Sequence, residues 1–344
     1  MRSLEIQAQA PQVAPNVHFE TDRERPEPQP GEVLVRTEAT ALNQLDLWVG
    51  RGVPGFEVVY PARSGADGVG IVEAVGSGTS EKWIGQRVVL NAAVQLPDPI
   101  EPDTRPLPPS FEMIGEHRTG THAEYFVAPV SNVLSIGDAD PVQAAAFGLV
   151  HLTAWRMLHS RVKLLPGSTV LVTGIGGGVA LALMGIAKLM SCHVIVTSRS
   201  EEKLLRAKEL GADAGVLDTG EDFSREIRKL TGKQGVDICA DSVGKAVHLS
   251  GIKSLARGGA YVTCGCTSGP DATTDLARVF WNQLAIVGSS MGDMHEFRQI
   301  ISHFLAGKLT SVIDSVFPAE EGQSAFSRLE SGAQFGKIVI DWRT

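Results

Sequence analysis

Residues 168–203 constrain the fold of this chain more than any other stretch of its sequence. A β-branched, apolar run at 169–173 is typical of a buried parallel strand, and it breaks at Gly174-Ile175-Gly176-Gly177-Gly178. An apolar helical pattern then covers 179–190, and a second buried run follows at 193–197. A strand, a glycine turn, a helix and a second strand together predict a βαβ unit.

A glycine turn in this setting favours a dinucleotide site, because glycines let the backbone approach a pyrophosphate and a helix N-terminus offers N–H groups to it. The fingerprint is imperfect. Read from Gly174, the pattern G-x-G-x-x-G meets Val179 in its last place; read from Ile175, it has Gly177 in the middle and Ala180 last, an allowed variant. The alternative is a tight strand-to-helix turn without a ligand. The predicted phosphate-binding residues are Gly174, Gly176, Gly177, Gly178 and Val179.

The residues after the second strand distinguish the two nicotinamide dinucleotides. An NAD site usually has Asp or Glu here, to accept hydrogen bonds from the ribose 2′-OH. This chain has Ser198-Arg199-Ser200, and Lys203 follows one turn into the next helix. A guanidinium, two hydroxyls and an ammonium suit a phosphate dianion, so the segment favours NADP(H). The alternative is that Ser200 only caps the helix, beside a solvated Arg199.

The length and composition are those of an ordinary globular chain that is long enough for two domains. It has 344 residues, 43% of them hydrophobic and 20% charged. A formal net charge of −8 argues against a general role in binding nucleic acid or anionic membranes. The cysteines lack metal-ligand spacing, the amino terminus lacks the apolar core of a signal peptide, and no apolar run has bilayer length. We therefore expect a reduced, cytoplasmic protein.

Two kinds of pattern divide the chain. Residues 1–141 have short strand-like runs between glycines and prolines, and the six prolines within 96–110 predict an extended surface lobe. From 142 onwards, buried runs alternate with helical patterns, which predicts a doubly wound parallel sheet of six strands. The buried runs are 169–173, 193–197, 214–217, 236–240, 260–264 and 284–287. The helical patterns are 142–158, 179–190, 201–210, 221–230, 245–256, 274–281, 294–306 and 320–331.

The expected fold class is therefore α/β. A β-rich domain is predicted at 1–141, and the tail at 292–344 is expected to complete it, because its strands otherwise lack partners. The dinucleotide-binding domain is predicted at 142–291.

Further motifs recur along nearly the whole chain. They are Tyr60-Pro-Ala-Arg-Ser-Gly65-Ala-Asp67-Gly-Val-Gly70, Gly85-Gln-Arg-Val88, Gly120-Thr-His-Ala-Glu-Tyr125, Leu152-Thr153-Ala154-Trp155, Lys208-Glu-Leu-Gly-Ala-Asp213 and Gly336-Lys-Ile-Val-Ile340. In this order they resemble the medium-chain dehydrogenase/reductase family. The resemblance implies a GroES-like β-rich catalytic domain plus a six-stranded Rossmann domain that binds a nicotinamide dinucleotide.

One departure from the family pattern is informative. Zinc alcohol dehydrogenases of this family place Cys, His and Cys or Glu at positions that match Asn43, Ala66 and Leu149 here. Ala and Leu offer no lone pair, so this type of catalytic zinc site is not expected. The chain thus resembles the zinc-independent quinone oxidoreductase branch, whose members reduce quinones or activated alkenes with NADPH.

The resemblance also suggests catalytic residues. Asn43 is a candidate donor to a substrate carbonyl, and Trp48 a candidate wall of the substrate pocket. Asp46 is a candidate catalytic residue, although the role of a structural hydrogen-bond acceptor is the stronger interpretation. His151 is a candidate proton donor, with a structural helix histidine as the alternative.

The same resemblance assigns further residues to the cofactor. Thr153, Gly265 and Cys266 are expected near the nicotinamide, Ser242 and Val243 near the ribose, and Lys337 near the pyrophosphate. Met291 completes the predicted cofactor-binding set.

The function expected from these observations is zinc-independent transfer of hydride from NADPH to a quinone or an α,β-unsaturated carbonyl. The alternative is an NADP(H)-binding sensor or scaffold with little catalysis. The strand at 284–287 would be an exposed sheet edge in a monomer, so we also expect a homodimer.

Overall fold

The computed structural model of the protein describes residues 1–53, 55–96 and 110–343. The chain divides into two units, Met1–Leu149 with Asp293–Thr344, and Val150–Gly292. The first boundary lies inside a helix that begins at Pro141, whereas the sequence pattern placed it before that helix. Most of the predicted proline-rich lobe, residues 97–109, lies outside the described residues.

The first unit begins with short strands and two helices. Its strands are β1 (Ser3–Ile6), β2 (Val17–Glu20), β3 (Glu32–Ala41), β4 (Gly68–Val75), β5 (Arg87–Leu90), β6 (Ala93–Gln95), β7 (Phe111–Met113), β8 (Tyr125–Pro129) and β9 (Val133–Ser135). Its helices are α1 (Gln44–Arg51) and α2 (Pro141–Trp155), the latter crossing into the second unit.

The second unit alternates strands and helices. The strands are β10 (Thr169–Val172), β11 (His193–Ser198), β12 (Ala214–Leu217), β13 (Val236–Asp241), β14 (Leu255–Thr263) and β15 (Ala285–Gly288). The helices are α3 (Gly178–Leu189), α4 (Glu201–Glu209), α5 (Ser224–Leu230), α6 (Lys245–Ser254) and α7 (Leu276–Trp281).

The six strands form one parallel sheet in the order β12-β11-β10-β13-β14-β15. This is the dinucleotide-binding order, with the chain reversing direction across the sheet between β10 and β13. Val170, Leu171 and Val172 in β10 are each 0% exposed. A strand that is covered on both faces must be apolar throughout, and this run meets that requirement. The doubly wound sheet predicted from the sequence is confirmed.

One boundary differs from the sequence pattern. The helix predicted at 245–256 ends at Ser254, and β14 begins directly at Leu255. Leu255 pairs with Val236, and pairing resumes at Ala260 with Ile238, so the residues between them leave the regular ladder. Glycines in this interval make the departure possible, and no periodicity signals it.

The end of the chain returns to the first unit through α8 (Met294–Leu305), β16 (Ile313–Pro318), α9 (Gly322–Glu330) and β17 (Lys337–Asp341). β17 pairs antiparallel with β3 and parallel with β16, which completes a seven-stranded sheet. Phe326, Ile338 and Trp342 pack in one core cluster with Leu4 and Leu47 from the start of the chain. Within the described ranges, no helix is long and apolar enough to cross a membrane.

Candidate functional site

The glycine turn lies at the carboxyl end of β10. Gly174 and Gly176 have φ values of +64° and +119°, backbone conformations that residues with a Cβ rarely adopt. The Ile175 N–H donates to the Thr197 carbonyl at 2.7 Å, which attaches the turn to β11. Gly177 caps α3, and the first turn of α3 carries no acidic side chain. The turn is therefore shaped and charged as a phosphate-binding turn requires.

Two predicted cofactor residues lie against this turn. A Cβ built on Gly176 would come within 2.8 Å of Lys203 Cδ and 3.4 Å of Lys203 Nζ. A Cβ built on Gly174 would lie 2.6 Å from Val243 Cγ2. The ammonium of Lys203 thus lies beside the glycine turn, where it favours an anionic ligand.

Serine side chains organise the segment that the sequence assigned to the 2′-phosphate. Ser198 Oγ accepts from the Ser200 N–H at 3.1 Å, and Ser200 Oγ accepts from the Lys203 N–H at 3.3 Å, which caps α4. The capping interpretation of Ser200 is therefore confirmed. Arg199 is exposed between them, and its role toward a phosphate stays a prediction.

The loops after β13 and β14 meet at the same edge of the sheet. A Cβ on Gly244 would lie 2.7 Å from Cys266 Cα, and one on Gly265 would lie 3.1 Å from the Ser242 carbonyl oxygen. The structure therefore brings the predicted ribose-side residue Ser242 next to the predicted nicotinamide-side pair Gly265 and Cys266.

Asp241 organises the candidate site through contacts that the sequence did not predict. Its carboxylate is completely buried, and it accepts hydrogen bonds from the Val243 and Gly244 N–H groups, both at 2.9 Å. It also accepts from Tyr261 Oη at 2.7 Å and from Thr173 Oγ1, which immediately precedes the glycine turn. One carboxylate thus joins the ends of β10, β13 and β14 at the point where a dinucleotide binds in this fold.

Burial and this carboxylate also set the ionisation of neighbouring groups. Burial, and then the charge of Asp241, raise the pKa of the Cys264 thiol to about 12. The same two causes raise the pKa values of Cys239 and Tyr261 well above their ordinary range. These three groups therefore remain protonated near neutral pH and are poor candidates for nucleophiles.

The remaining candidates of the second unit lie on two segments. Thr153 is 5% exposed on α2, and its Oγ1 lies 3.8 Å from Sδ of Met291, which has a φ of +46°. His151, two residues earlier on α2, is 4% exposed. Thr153 and Met291 are thus brought together, and the proton-donor role of His151 stays a prediction.

The first unit contains a buried polar cluster that we call the Lys337 cluster, formed by Lys337, Asp67 and Asn43 together with the Leu42 carbonyl. Lys337 Nζ donates to the Leu42 carbonyl at 2.7 Å, to Asn43 Oδ1 at 2.6 Å and to Asp67 Oδ2 at 3.0 Å. Asn43 Nδ2 also donates to Asp67 Oδ2 at 2.9 Å. The three ammonium protons are therefore used within this unit. The expected contact between Lys337 and a pyrophosphate stays a prediction.

Asp46 lies beside the cluster and is completely buried. It accepts from the Asn43 N–H at 2.7 Å at the start of α1, and its Oδ1 lies 3.3 Å from His122 Nε2. Burial would raise the pKa of Asp46, but the attraction of His122 and the hydrogen bonds that it accepts hold that pKa below its ordinary value. Ionised Asp46 therefore stabilises the fold at neutral pH, and the contribution is lost as pH falls through the lowered pKa. The structure favours the structural interpretation of Asp46.

The positions that match zinc ligands in the family surround Asp67 but do not fit a metal. Asn43 is 7% exposed and has both ends of its amide engaged, Ala66 is buried, and Leu149 contributes its backbone N–H to Asp67 Oδ1 at 2.8 Å. Across 1–53, 55–96 and 110–343, no group of three or more His, Cys, Asp and Glu residues is arranged to hold a metal ion. Trp48 is half-buried on α1, and its contact with a substrate stays a prediction.

The glycine turn offers a matched pair of substitutions. In Gly174→Ala we expect a loss of about 2 kcal/mol in the stability of the second unit, because a positive φ and a 2.6 Å approach to Val243 Cγ2 both oppose a Cβ. The control is Gly177→Ala, where φ is −78° and nothing lies within 4 Å of a Cβ. Urea denaturation without ligand measures the free energy of unfolding of both variants. Equal stabilities for the two variants would contradict the strained conformation assigned to Gly174.

Comparison with known proteins identifies relatives of both units. Residues 29–138 match the family model described as alcohol dehydrogenase GroES-like domain, and residues 178–306 match that described as zinc-binding dehydrogenase. An alcohol dehydrogenase from Geobacillus stearothermophilus is 30% identical, over 92% of this chain and 93% of the relative. A zinc-type alcohol dehydrogenase-like protein from Leptosphaeria maculans is 29% identical, over 92% of each chain.

Solved structures share the whole architecture. The structure described as an NAD-dependent alcohol dehydrogenase is 37% identical, with a TM-score of 0.90, over 99% of this chain and 100% of that one. A mycobacterial protein complexed with NADPH is 26% identical, with a TM-score of 0.83, over 99% and 100% of the two chains. A mycobacterial quinone oxidoreductase is also 26% identical, with a TM-score of 0.80 and the same coverage.

Proposed function

This chain belongs to the medium-chain dehydrogenase/reductase superfamily and is an oxidoreductase, and we propose that it transfers hydride from NADPH to a quinone or an α,β-unsaturated carbonyl without zinc. The observation that carries the proposal is the chemistry of the positions that match zinc ligands in the family: Ala66 and Leu149 offer no lone pair from their side chains, and both ends of the Asn43 amide are engaged within the unit. The relatives described as a quinone oxidoreductase and as an NADPH complex support the same assignment.

The second unit fits a nicotinamide dinucleotide. We propose that the pyrophosphate lies on the glycine turn and α3, with Lys203 beside it, and that Ser198, Arg199 and Ser200 bind the 2′-phosphate. Ser242, Val243, Gly265, Cys266, Thr153 and Met291 would line the rest of the site. When bound, NADPH supplies the hydride.

The lack of metal-ligating side chains at Ala66 and Leu149 narrows the substrate class. Oxidation of an alcohol in the zinc enzymes relies on a Lewis acid that stabilises an alkoxide. A quinone or an enone is already polarised, so hydrogen-bond donors and orientation are sufficient for it to accept hydride. The β-carbon of an enone receives the hydride and its α-carbon receives a proton. We propose His151 as the source of that proton and Trp48 as an apolar wall for the acceptor.

The proposal is tested by following NADPH oxidation at 340 nm against a panel of quinones, enones and saturated aldehydes, with metal content measured on the same preparation. We expect turnover of a quinone or an enone that survives a metal chelator. Turnover of saturated aldehydes or alcohols alone, or activity that follows bound zinc, would contradict the proposal. Cofactor binding without turnover of any acceptor would favour the sensor alternative.

We also propose a homodimer that forms through the β15 edge. β15 is the last strand of its sheet, and large apolar side chains beside it are exposed: Leu276 at 72%, Phe280 at 69% and Trp281 at 71%. A strand edge next to such a patch is open to pairing with another chain. A second copy of this chain satisfies both features at once, because a two-fold axis would pair each edge with its equivalent.

For Trp281→Glu we therefore expect a monomer, because a carboxylate at the centre of the patch opposes apolar association. Light scattering after gel filtration measures the mass. Leu165→Glu is the control, since Leu165 is 68% exposed elsewhere on the second unit. A monomeric wild-type protein, or a dimeric Trp281→Glu variant, would overturn this interface.

A further inference from the structure

Helix α6 begins without a capping side chain of its own. Its N-cap residue is Gly244, whose φ is +89°, and a Cβ built there would lie 2.7 Å from Cys266 Cα. Both facts oppose a side chain at the position that usually supplies the cap. The first N–H groups of a helix have no acceptor within the helix itself. For α6, an acceptor therefore has to come from water or from another segment of the chain.

Ser268, in the loop after β14, supplies such an acceptor. Its Oγ accepts from the N–H of Ala246, the second residue of α6, at 3.0 Å. The oxygen of an N-cap side chain normally accepts from this position or the next. The Ser268 hydroxyl also donates to the Val243 carbonyl at 2.7 Å, and the Ser268 N–H donates to the same carbonyl at 2.8 Å. Ser268 thus replaces the missing cap from 22 positions further along the chain than Ala246.

Other contacts attach the same loop to the first turn of α6. The Lys245 N–H donates to the Gly269 carbonyl at 3.1 Å, and Lys245 Nζ lies 2.8 Å from a carboxylate oxygen of Asp271. His248 Nε2 lies 2.8 Å from Thr274 Oγ1. The ion pair is largely exposed and contributes little by itself. The loop after β14 therefore runs along the start of α6 and is connected to it at several points.

We propose that Ser268 is a positioning residue for the nicotinamide end of the cofactor. The proposed ribose contacts, Ser242 and Val243, lie on one of the two loops that Ser268 joins. The proposed nicotinamide contacts, Gly265 and Cys266, lie on the other. Because Ser268 holds the two loops in one arrangement before the cofactor binds, less conformational freedom is lost on binding, and the affinity rises. This inference rests on the proposed function, since it concerns the same site.

The test compares the whole cofactor with its adenosine half. Isothermal titration calorimetry measures the affinities for NADPH and for adenosine 2′,5′-bisphosphate, which lacks the nicotinamide and its ribose. In Ser268→Ala we expect the affinity for NADPH to fall about fivefold, as for the loss of an N-cap side chain, while the affinity for the bisphosphate changes less than about twofold. Ser268→Thr keeps the hydroxyl and should restore the affinity for NADPH. NADH and adenosine 5′-monophosphate form the equivalent pair if the protein prefers the unphosphorylated cofactor.

Thr273→Ala is the control in the same loop. Thr273 is exposed, and its hydroxyl forms no hydrogen bond with any residue that the structure describes. We expect both affinities of this variant to equal those of the wild-type protein. Ser268 is also exposed, so Ser268→Ala is expected to fold, and thermal unfolding without ligand verifies this.

Each outcome decides the role of Ser268. Equal losses of affinity for NADPH and the bisphosphate in Ser268→Ala would show that Ser268 only stabilises the fold, and would overturn the inference. An unchanged affinity for NADPH, or a loss that Ser268→Thr does not reverse, would overturn it as well. A wild-type protein that binds neither NADPH nor NADH would contradict the proposed function together with this inference, so the two failures are distinguishable.

Discussion

In Arg199→Glu, we expect KM for NADPH to rise by about a hundredfold while KM for NADH changes by less than a few-fold. A guanidinium that makes two charge-assisted hydrogen bonds to a phosphate stabilises it by a few kcal/mol, and every 1.4 kcal/mol is a factor of about ten. A carboxylate at the same place adds repulsion from the 2′-phosphate, which NADH lacks. The kcat should stay near the wild-type value, because the change lies at the adenosine end of the cofactor.

The experiment compares steady-state kinetics with both cofactors at two salt concentrations. Arg199 is exposed, so the penalty for NADPH should shrink at high ionic strength. Arg225→Glu is the control, because it makes the same charge change on an exposed face of α5. A wild-type protein that prefers NADH would contradict the NADP assignment. An unchanged ratio of NADPH to NADH efficiency in the variant contradicts it as well.

The second large effect is expected from Asp241→Ala. Four donors, the Val243 and Gly244 N–H groups and the hydroxyls of Thr173 and Tyr261, would be left buried without their acceptor. Loss of one partner from such a network costs far more than the network contributes, so we expect about 4 kcal/mol of destabilisation in the second unit. Asp241→Asn keeps one acceptor oxygen and should cost less.

Cofactor affinity should fall together with stability, because Asp241 holds the residue before the glycine turn and the loop after β13 in one arrangement. Urea denaturation measures the stability of each variant. Titration with NADPH, followed by fluorescence on the folded fraction, measures its cofactor affinity. Asp237→Ala is the control on the same strand: its exposed carboxylate accepts a hydrogen bond from the Thr169 N–H at 2.8 Å. If Asp241→Ala is no less stable than Asp237→Ala, the positioning role is wrong.

Local patterns predicted much of the second unit. The β-branched runs, the glycine turn and the helical periods identified the strands and helices of the parallel sheet to within a few residues, because a strand buried on both faces must be apolar throughout. The glycine turn and the start of α3 were also predictable, because they depend on consecutive glycines and a helix start that are adjacent in the chain. The family signatures identified the β-rich unit in the same way, through short contiguous motifs.

The sequence by itself therefore determined the fold class, the glycine turn and the lack of metal-ligating side chains at Ala66 and Leu149. Only the tertiary structure decided which polar groups meet. Lys337 reaches Asp67 across 270 positions of the chain, and Tyr261 reaches Asp241 across 20. No periodicity records such contacts, because a buried charge is stabilised by whichever donors the fold brings to it from other segments. That is why the contacts of Lys337 and of the Asp241 carboxylate could not be predicted from the sequence.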